Sequence, residues 1–386
     1  MTNKLNRGGG DSESINMLRF PLSILVVFVH SYGPDIDIAQ LHANGFTGAA
    51  FYDYVRIFFS VVIARSAVPI FFIISGYLLF YKVEEYSKPV YLSKLKKRFY
   101  SLVVPYFSWN VFNILWMLLF IVAGILIHGR SWTVLFDYLK DYATPNILWD
   151  CSIWGERETW LGVKTHNSGP ILLPFWYMRD LIVMFLLSPI IYWLIKRTKL
   201  AIILLLLIIY AFDIRASWIS GTFTCAGLFF SLGAYFSIMK QDFTDVLWKW
   251  RKQICPLALV LIIFQTYTGS ANGNNLSMMM HPWLVIFQSF TFIILALYLS
   301  KNNKLYQTNK RLAKVSFFIY ALHPFILGYV DSIINKIMPM TDTWVVKIFN
   351  YLSVPLVCVA ICIIIYYSMQ KAVPSALGVM VGERKK

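Results

Sequence analysis

The feature that most constrains this chain is a series of apolar stretches, each about as long as a helix that crosses a lipid bilayer. A spanning helix needs about 20 mostly apolar residues. Two of the stretches, 199–213 and 254–267, are short for a bilayer. The sequence therefore predicts an all-α, polytopic integral membrane protein with about ten transmembrane helices, at residues 15–34, 55–80, 100–127, 172–195, 199–213, 218–239, 254–267, 282–300, 312–334 and 344–369.

Composition excludes a soluble protein. Of the 386 residues, 58% are hydrophobic and 14% charged, whereas soluble domains contain about 25% charged residues. No soluble half is present, so we predict one transmembrane domain, 15–369, between cytoplasmic tails at 1–14 and 370–386. Its long outer loop, 128–171, is rich in Trp and is expected to cap the outer side.

The basic residues follow a topological pattern. With a cytoplasmic amino terminus, the predicted inner segments hold 24 Lys and Arg residues and the outer segments hold 7. Such an excess on the inner side is typical of membrane topology. A nucleic-acid-binding protein would gather its basic residues on one solvated patch, so nucleic acid is not an expected partner.

The sequence contains no motif of a disulfide-rich protein, a metal-binding protein or a cleaved signal peptide. The five cysteines include no CxxC pair, which argues against a disulfide framework. No HExxH motif or Cys/His cluster occurs, so no metal is predicted. The first apolar stretch contains Arg19 and His30 and lacks a small-residue cleavage site, which indicates a retained helix and not a signal peptide.

Arg19 and His30 lie eleven residues apart in the first predicted span. Eleven helical steps bring both side chains to one face, about 16 Å apart along the axis. A charged group inside a membrane is costly and by default functional. Such a face can hold an anionic donor at Arg19 and place the reactive end of that donor beside His30. The alternatives are an Arg that reaches the interface and a His that bonds a neighbouring helix.

Further candidates for binding lie elsewhere in the predicted helices. The basic run that includes Lys94, Lys97 and Arg98 suits phosphate groups at the inner side, although topology alone also explains it. Ser75 and Gly76 are small residues that permit close helix packing, which is the favoured explanation. His323 lies near the middle of the ninth span, where the alternative is a packing role before a Pro kink.

The outer half of the predicted domain contributes four more candidates. Arg65 lies within the second span, and Trp176, Arg179 and Asp180 lie in the fourth. Adjacent residues on a helix diverge by about 100°. We therefore expect Arg179 and Asp180 to find partners on other helices, with a mutual ion pair as the alternative.

Several of these motifs occur together in a known order. They are Arg19-x10-His30, Ser75-Gly76-Tyr77, Lys94-Leu-Lys-Lys-Arg98 before Pro105-Tyr106, Trp176-Tyr-Met-Arg-Asp180 with Ser188-Pro189, and Ile319-Tyr-Ala-Leu-His323. The ordered set resembles the bacterial membrane acyltransferase family 3 over nearly the whole chain. One departure concerns an Arg-x-x-Arg pair that the family often has before the third span. Here Ser101 stands three residues after Arg98, at the position of the second Arg of that pair. Either Lys94 and Lys97 therefore take its role or the donor is held differently.

The resemblance implies an O-acyltransferase of the bacterial inner membrane. It implies transfer of an acyl group, usually acetyl, from cytoplasmic acetyl-CoA to a hydroxyl of a cell-surface or exported carbohydrate. The essential Arg and His of the family carry over onto Arg19 and His30, with Lys94, Lys97 and Arg98 as further donor contacts. The expected acceptor-binding residues are Arg65, Ser75, Trp176, Arg179, Asp180 and His323.

Two other classes of function fit an intramembrane Arg and His. A transporter or flippase for a glycan or lipid-linked sugar is the main alternative, and inverted repeats would favour it. A structural subunit would not need Arg19 or His30. Within the enzyme class, direct transfer with His30 as base and an acyl-His30 intermediate both remain open. The acceptor, the acyl chain and the oligomeric state are not predicted.

Overall fold

The computed structural model describes residues 9–45, 47–142, 144–159, 161–270, 275–339 and 343–383. Parts of the predicted tails, residues 1–8 and 384–386, lie outside this range. The chain divides into two compact units. The first contains Met1–Lys82 and Phe229–Met369, and the second contains Val83–Leu228 and Gln370–Lys386.

The helices of the first unit come from both ends of the chain. A π-helical segment, Ile57–Ile63, and a 3-10 turn, Ala64–Ser66, join two of them without a loop. The helices are α1 Gly9–His30, α2 Ile38–Ala43, α3 Gly48–Arg56, α4 Ala67–Phe80, most of α11 Gly221–Ile238, α12 Phe243–Lys249, α13 Arg251–Thr268, α14 Asn275–Leu299, α15 Asn303–Leu312, α16 Ser316–Ile337 and α17 Trp344–Ala372.

The second unit is formed by the middle of the chain and its carboxyl end. A second π-helical segment, Phe99–Val103, joins its first two helices. Its helices are α5 Lys88–Arg98, α6 Val104–His128, α7 Thr133–Tyr142, α8 Trp176–Leu186, α9 Ser188–Thr198, α10 Leu200–Ala211, the beginning of α11 and α18 Pro374–Val381; its strands are β1 Ser152–Glu158 and β2 Lys164–Gly169.

The membrane character predicted from the sequence is confirmed. Within the described residues, six helices are long and apolar enough to cross a membrane, and a bent pair makes seven if it forms one span. The segments Ser14–His30 and Leu200–Ala211 are shorter apolar helices. The predicted span 254–267 lies within α13. Each predicted span thus coincides with helix, while the count of ten stays a prediction.

The fourth predicted span is broken in the structure. The segments Leu173–Leu186 and Ser188–Thr198 meet at an angle of 63°. Pro189 lies in the first turn of α9, where proline lacks the N–H that a continuous helix would need. The proline therefore explains why the apolar stretch 172–195 does not form one straight helix.

Close helix packing in the first unit depends on two glycines. A Cβ at Gly76 on α4 would lie 2.0 Å from the Phe230 carbonyl oxygen on α11. A Cβ at Gly233 on α11 would lie 2.0 Å from the Ile73 carbonyl oxygen on α4. Only hydrogen fits at both positions, so the two backbones are in contact. Gly76 therefore has the packing role that the sequence favoured.

Helix α1 lies at the centre of the first unit. It packs against α4, α14, α15, α16 and the 3-10 turn at Ala64–Ser66. Leu22 and Val27 of α1 are fully buried, and Phe28 packs with Ala64 and Tyr351. Because α1 is held on several sides, the side chains that it carries have fixed surroundings.

The described residues of the outer loop predicted at 128–171 include a β-hairpin that the sequence did not predict. Strands β1 and β2 pair antiparallel from Ser152 opposite Gly169 to Glu158 opposite Lys164. In the second unit, Arg215 donates to the His166 carbonyl and the Thr165 hydroxyl, both at 2.9 Å. One guanidinium thus ties the hairpin to the chain before α11.

Candidate functional site

His30 is the last residue of α1. Its side chain is exposed, whereas protein fills the volume around it. The two facts agree if the imidazole lines an opening inside the protein and does not face the outside. The ring thus keeps accessible surface although most of the volume around it is protein.

Arg65 lies beside His30. The residue falls in the 3-10 turn that follows the π-helical segment, so two changes of helical winding occur within ten residues. Such irregular turns redirect side chains and are common at functional sites. The Arg65 side chain is exposed although its neighbours Ala64 and Ser66 are buried. Its positive charge acts on His30, so a cation and an imidazole share the opening.

His323 on α16 contacts His30. The two ring centroids lie 5.1 Å apart with the planes inclined by 36°. His323 is fully buried, and its Nδ1–H donates to the Ile319 carbonyl at 3.1 Å. In the neutral ring Nε2 then carries the lone pair, and among the described residues it has no hydrogen-bond partner. The structure thus places a buried imidazole, whose Nε2 carries a lone pair, against the accessible imidazole of His30.

The other predicted residues of the first unit are Arg19 and Ser75. Arg19 lies on α1 with His30, eleven residues away, and is half-buried. Pro21 lies between them within the helix. Ser75 is half-buried on α4, next to the Gly76 contact. The roles predicted for Arg19 and Ser75 stay predictions.

In the second unit, Lys94, Lys97 and Arg98 lie together on one face of α5. Their spacing of three and four residues places them on adjacent turns. Lys94 is partly buried, and the positive charges of Lys97 and Arg98 act on it. The Arg98 guanidinium also lies 4.8 Å from the Phe185 ring centroid. Like charges held this closely favour an anion between them, so the arrangement suits phosphate groups.

Arg179 and Asp180 are both fully buried in the second unit. The Arg179 Nε–H donates to Asp180 Oδ1 at 2.8 Å, so the two residues form the mutual ion pair that the sequence analysis gave as the alternative. The guanidinium has reach enough to bend back to its neighbour. It also donates to the Trp149 carbonyl at 3.0 Å and to the Thr222 hydroxyl at 3.1 Å. Arg179 therefore joins α8 to the outer loop and to α11.

Trp176 begins α8 and is half-buried. Its ring lies 6.4 Å from that of Trp154 on strand β1. The hairpin thus packs beside the first turn of α8. The predicted contacts of Trp176, Arg179 and Asp180 with an acceptor stay predictions.

Sequence reasoning missed one prominent group, which surrounds Arg56. The Arg56 guanidinium lies 5.0 Å from the Tyr32 ring and 5.4 Å from the Tyr52 ring. It donates to the Tyr32 carbonyl at 2.9 and 2.7 Å and to Asp53 at 2.9 Å. The signal available in the sequence was an Arg at the edge of a span, without any indication of its aromatic partners.

The helices and the central His and Arg residues define a class: a multi-pass membrane protein with a polar, accessible centre. The comparisons with known proteins narrow this class. The sequence model of acyltransferase family 3, described as an acyltransferase domain, matches residues 12–369. The chain therefore belongs to this family of membrane acyltransferases.

One relative is a protein of polysaccharide synthesis. The succinoglycan biosynthesis protein ExoH of Rhizobium meliloti (strain 1021) is 29% identical over 206 residues, which cover 52% of this chain and 47% of the relative. The alignment thus spans about half the length of that protein. No solved structure matches the chain.

Proposed function

We propose that this protein transfers an acetyl group from coenzyme A to a hydroxyl of a sugar in a cell-surface or exported glycan, at the bacterial inner membrane. The acceptor oxygen attacks the thioester carbonyl carbon, and His30 takes the hydroxyl proton. The carbon–sulfur bond then breaks, and His30 returns the proton to the leaving thiolate. Membership of the acyltransferase family and the polysaccharide-related relative support the reaction class.

The observation that carries the proposal is the setting of His30. An imidazole is an effective base near neutral pH because its ordinary pKa is about 6.5. His30 is accessible and has an Arg65 cation and a second imidazole, His323, beside it. In the proposed reaction, Arg65 stabilises the negative charge that develops on the carbonyl oxygen. The His323 ring packs against the His30 ring at a centroid distance of 5.1 Å and so limits the orientations that the His30 ring can adopt.

The proposed donor contacts are cationic. Coenzyme A carries several phosphate charges, which Arg and Lys bind through charge-assisted hydrogen bonds. Arg19, on the same helix as His30, is the first proposed contact. The donor contacts predicted from the sequence at Lys94, Lys97 and Arg98, which lie on α5 in the second unit, stay a prediction.

A transfer assay with the full-length protein in detergent tests the proposal. Labelled acetyl-CoA is incubated with surface polysaccharide from cells that lack the protein, and label in the polysaccharide is counted. General-base catalysis contributes about 10²–10⁴-fold, so His30→Ala should reduce transfer by at least about 100-fold. His128→Ala, which removes an exposed imidazole at the end of α6, is the matched control and should retain full activity. Wild-type transfer by His30→Ala would refute the role of His30.

Ligand protection separates the enzyme from a glycan transporter or flippase. A ligand that binds only the folded state raises the unfolding temperature. Free coenzyme A should therefore protect the wild-type protein against thermal unfolding, and Arg19→Ala should lose much of this protection. A transporter of glycans would show no effect of coenzyme A. Lack of protection together with lack of transfer would favour that alternative.

A further inference from the structure

The group around Arg56 lies next to the His30 site and has no part in the mechanism proposed so far. Arg65 connects the two, because its charge acts on both His30 and Tyr32. Tyr32 follows His30 by two residues, and its ring contacts Arg56. The catalytic centre and the Arg56 group are therefore continuous within the first unit.

The two tyrosine rings of this group are held rigidly. Arg56 is buried, and its guanidinium lies against both rings while it bonds the Tyr32 carbonyl and Asp53. The Tyr52 ring also meets the Tyr351 ring edge-on, with centroids 6.5 Å apart. Tyr351 is fixed in turn by a 2.7 Å hydrogen bond between its hydroxyl and that of Ser60. Little conformational entropy is left to lose when a ligand binds these rings.

Although the rings are fixed, Tyr32 and Tyr52 remain half-exposed. The contacts described for Tyr52 are made by its ring, whereas Tyr32 also uses its backbone carbonyl and its hydroxyl, which accepts a hydrogen bond from the Ile36 backbone. Charges of both signs act on the rings: Arg56 acts on both, Asp35 and Asp53 act on Tyr32, and Asp53 and Asp331 act on Tyr52. Aromatic faces with nearby polar groups are what a sugar needs, since its C–H faces stack on rings and its hydroxyls donate to carboxylates.

We propose that Tyr32 and Tyr52, fixed by Arg56, form a subsite for an uncharged sugar of the acceptor glycan next to His30. This inference rests on the proposed transferase function and adds the location and charge class of the acceptor. The charge class is argued from Asp35 and Asp331, whose carboxylates act on these rings, because the Asp53 carboxylate and the Arg56 guanidinium form a 2.9 Å ion pair and offset each other. The local field therefore disfavours sugars that carry a carboxylate.

Saturation-transfer NMR with the full-length detergent-solubilised protein tests the subsite. The probes are cellotetraose, which is uncharged, and tetragalacturonate, which has the same number of rings and four carboxylates. We expect saturation transfer to cellotetraose to be at least about threefold stronger. Equal signals, a stronger signal from the uronate, or no signal from either probe would overturn the proposal.

Variants show whether the binding depends on the named rings. Tyr52→Ala should lower the cellotetraose signal by about two- to tenfold, because it removes one of the two aromatic faces of the subsite. Tyr52→Phe keeps the ring and its contact with Arg56, so it should retain most of the signal and also reports whether the fold is intact. Tyr298→Ala, which removes an exposed tyrosine whose described partner is Lys301, is the matched control and should bind as the wild type does.

The charge selection has its own variant. The double change Asp35→Asn and Asp331→Asn removes two negative charges and keeps the size of both side chains. It should raise the tetragalacturonate signal by about threefold relative to cellotetraose. An unchanged ratio would contradict the electrostatic part of the proposal.

The same preparations distinguish failure of the subsite from failure of the transferase function. If coenzyme A protects the protein and acetyl transfer occurs, but Tyr52→Ala binds and transfers normally, the subsite alone is wrong. If the sugar signals behave as expected while coenzyme A gives no protection and no transfer occurs, the subsite stands and the proposed reaction is wrong.

Discussion

Replacement of Gly76 by alanine tests the packing that holds α4 against α11. The new Cβ would lie 2.0 Å from the Phe230 carbonyl oxygen, whereas real Cβ contacts essentially never fall below 3.0 Å. The two atoms must therefore move apart by at least 1.0 Å. Because the obstacle is backbone, no flexible side chain can move aside to make room.

The cost follows from the size of this movement. Overpacking of a well-filled core costs about 1–3 kcal/mol. A gap of about 0.5–1 Å already removes a quarter to a half of the dispersion energy between neighbouring atoms, and α4 would lose this along the contact. We expect Gly76→Ala to destabilise the protein by about 2–3 kcal/mol, at the upper end of the overpacking range.

Thermal unfolding of the detergent-solubilised protein measures this effect. Gly76→Ala should lower the apparent Tm by several degrees. Gly328→Ala on α16 is the matched control, because nothing lies within 4 Å of its added Cβ. Alanine is favoured over glycine in a helix by about 1 kcal/mol, so this variant should unfold at the same temperature or higher. An unchanged or raised Tm for Gly76→Ala would refute the packing argument.

Three further changes test other parts of the structure. Arg179→Ala leaves the buried Asp180 carboxylate without its 2.8 Å partner. Because loss of one member of a buried ion pair costs about 3–5 kcal/mol, we expect this variant to yield much less monodisperse protein on size-exclusion chromatography. A normal yield would contradict this. Arg215→Ala removes the hydrogen bonds to the hairpin, so limited proteolysis followed by mass spectrometry should find faster cleavage between β1 and β2, and equal rates would count against the tie. Burial raises the pKa of Tyr86, which shares a 2.9 Å hydrogen bond with Ser188. Its neutral form is therefore favoured by folding, and this stabilisation is complete below about pH 10, the ordinary tyrosine pKa, and is lost as the pH rises further. Tyr86→Phe should show a shallower alkaline loss of Tm, and identical profiles would contradict the assignment.

The positions of the helices were predictable because the length of an apolar stretch is itself the physical requirement for crossing a bilayer. The spacing of Arg19 and His30 likewise places both on α1, as the structure has it. A break such as the one before Pro189 was also within reach, since proline lacks the N–H of a continuous helix. These features depend on neighbouring residues alone.

The surroundings of His30 were less accessible to sequence reasoning. His323 comes from α16, and no local pattern indicates that its ring meets that of His30. Arg65 points toward the same centre because a π-helical segment changes the winding just before it, and the residues 57–63 give no clear sign of this change. Such contacts depend on how distant helices pack.

Two features that the sequence did not favour have specific physical causes. Arg179 and Asp180 pair directly because the long guanidinium side chain overcomes the divergence of adjacent helical positions. The hairpin at β1 and β2 was missed because its strands contain Gly, Glu and Lys and show little alternation of apolar and polar residues. The hairpin is stabilised by hydrogen bonds from distant residues such as Arg215, which the sequence of the two strands does not indicate.

Mass spectrometry of surface and secreted carbohydrate tests the central claim most directly. The carbohydrate is compared between cells without the protein and cells that carry the wild type, His30→Ala or His128→Ala at matched membrane levels. We predict a mass increase of one acetyl group per modified sugar with the wild type and His128→Ala, and its absence with His30→Ala. The same acetylation with His30→Ala, or none with the wild type, would contradict a transferase centred on His30.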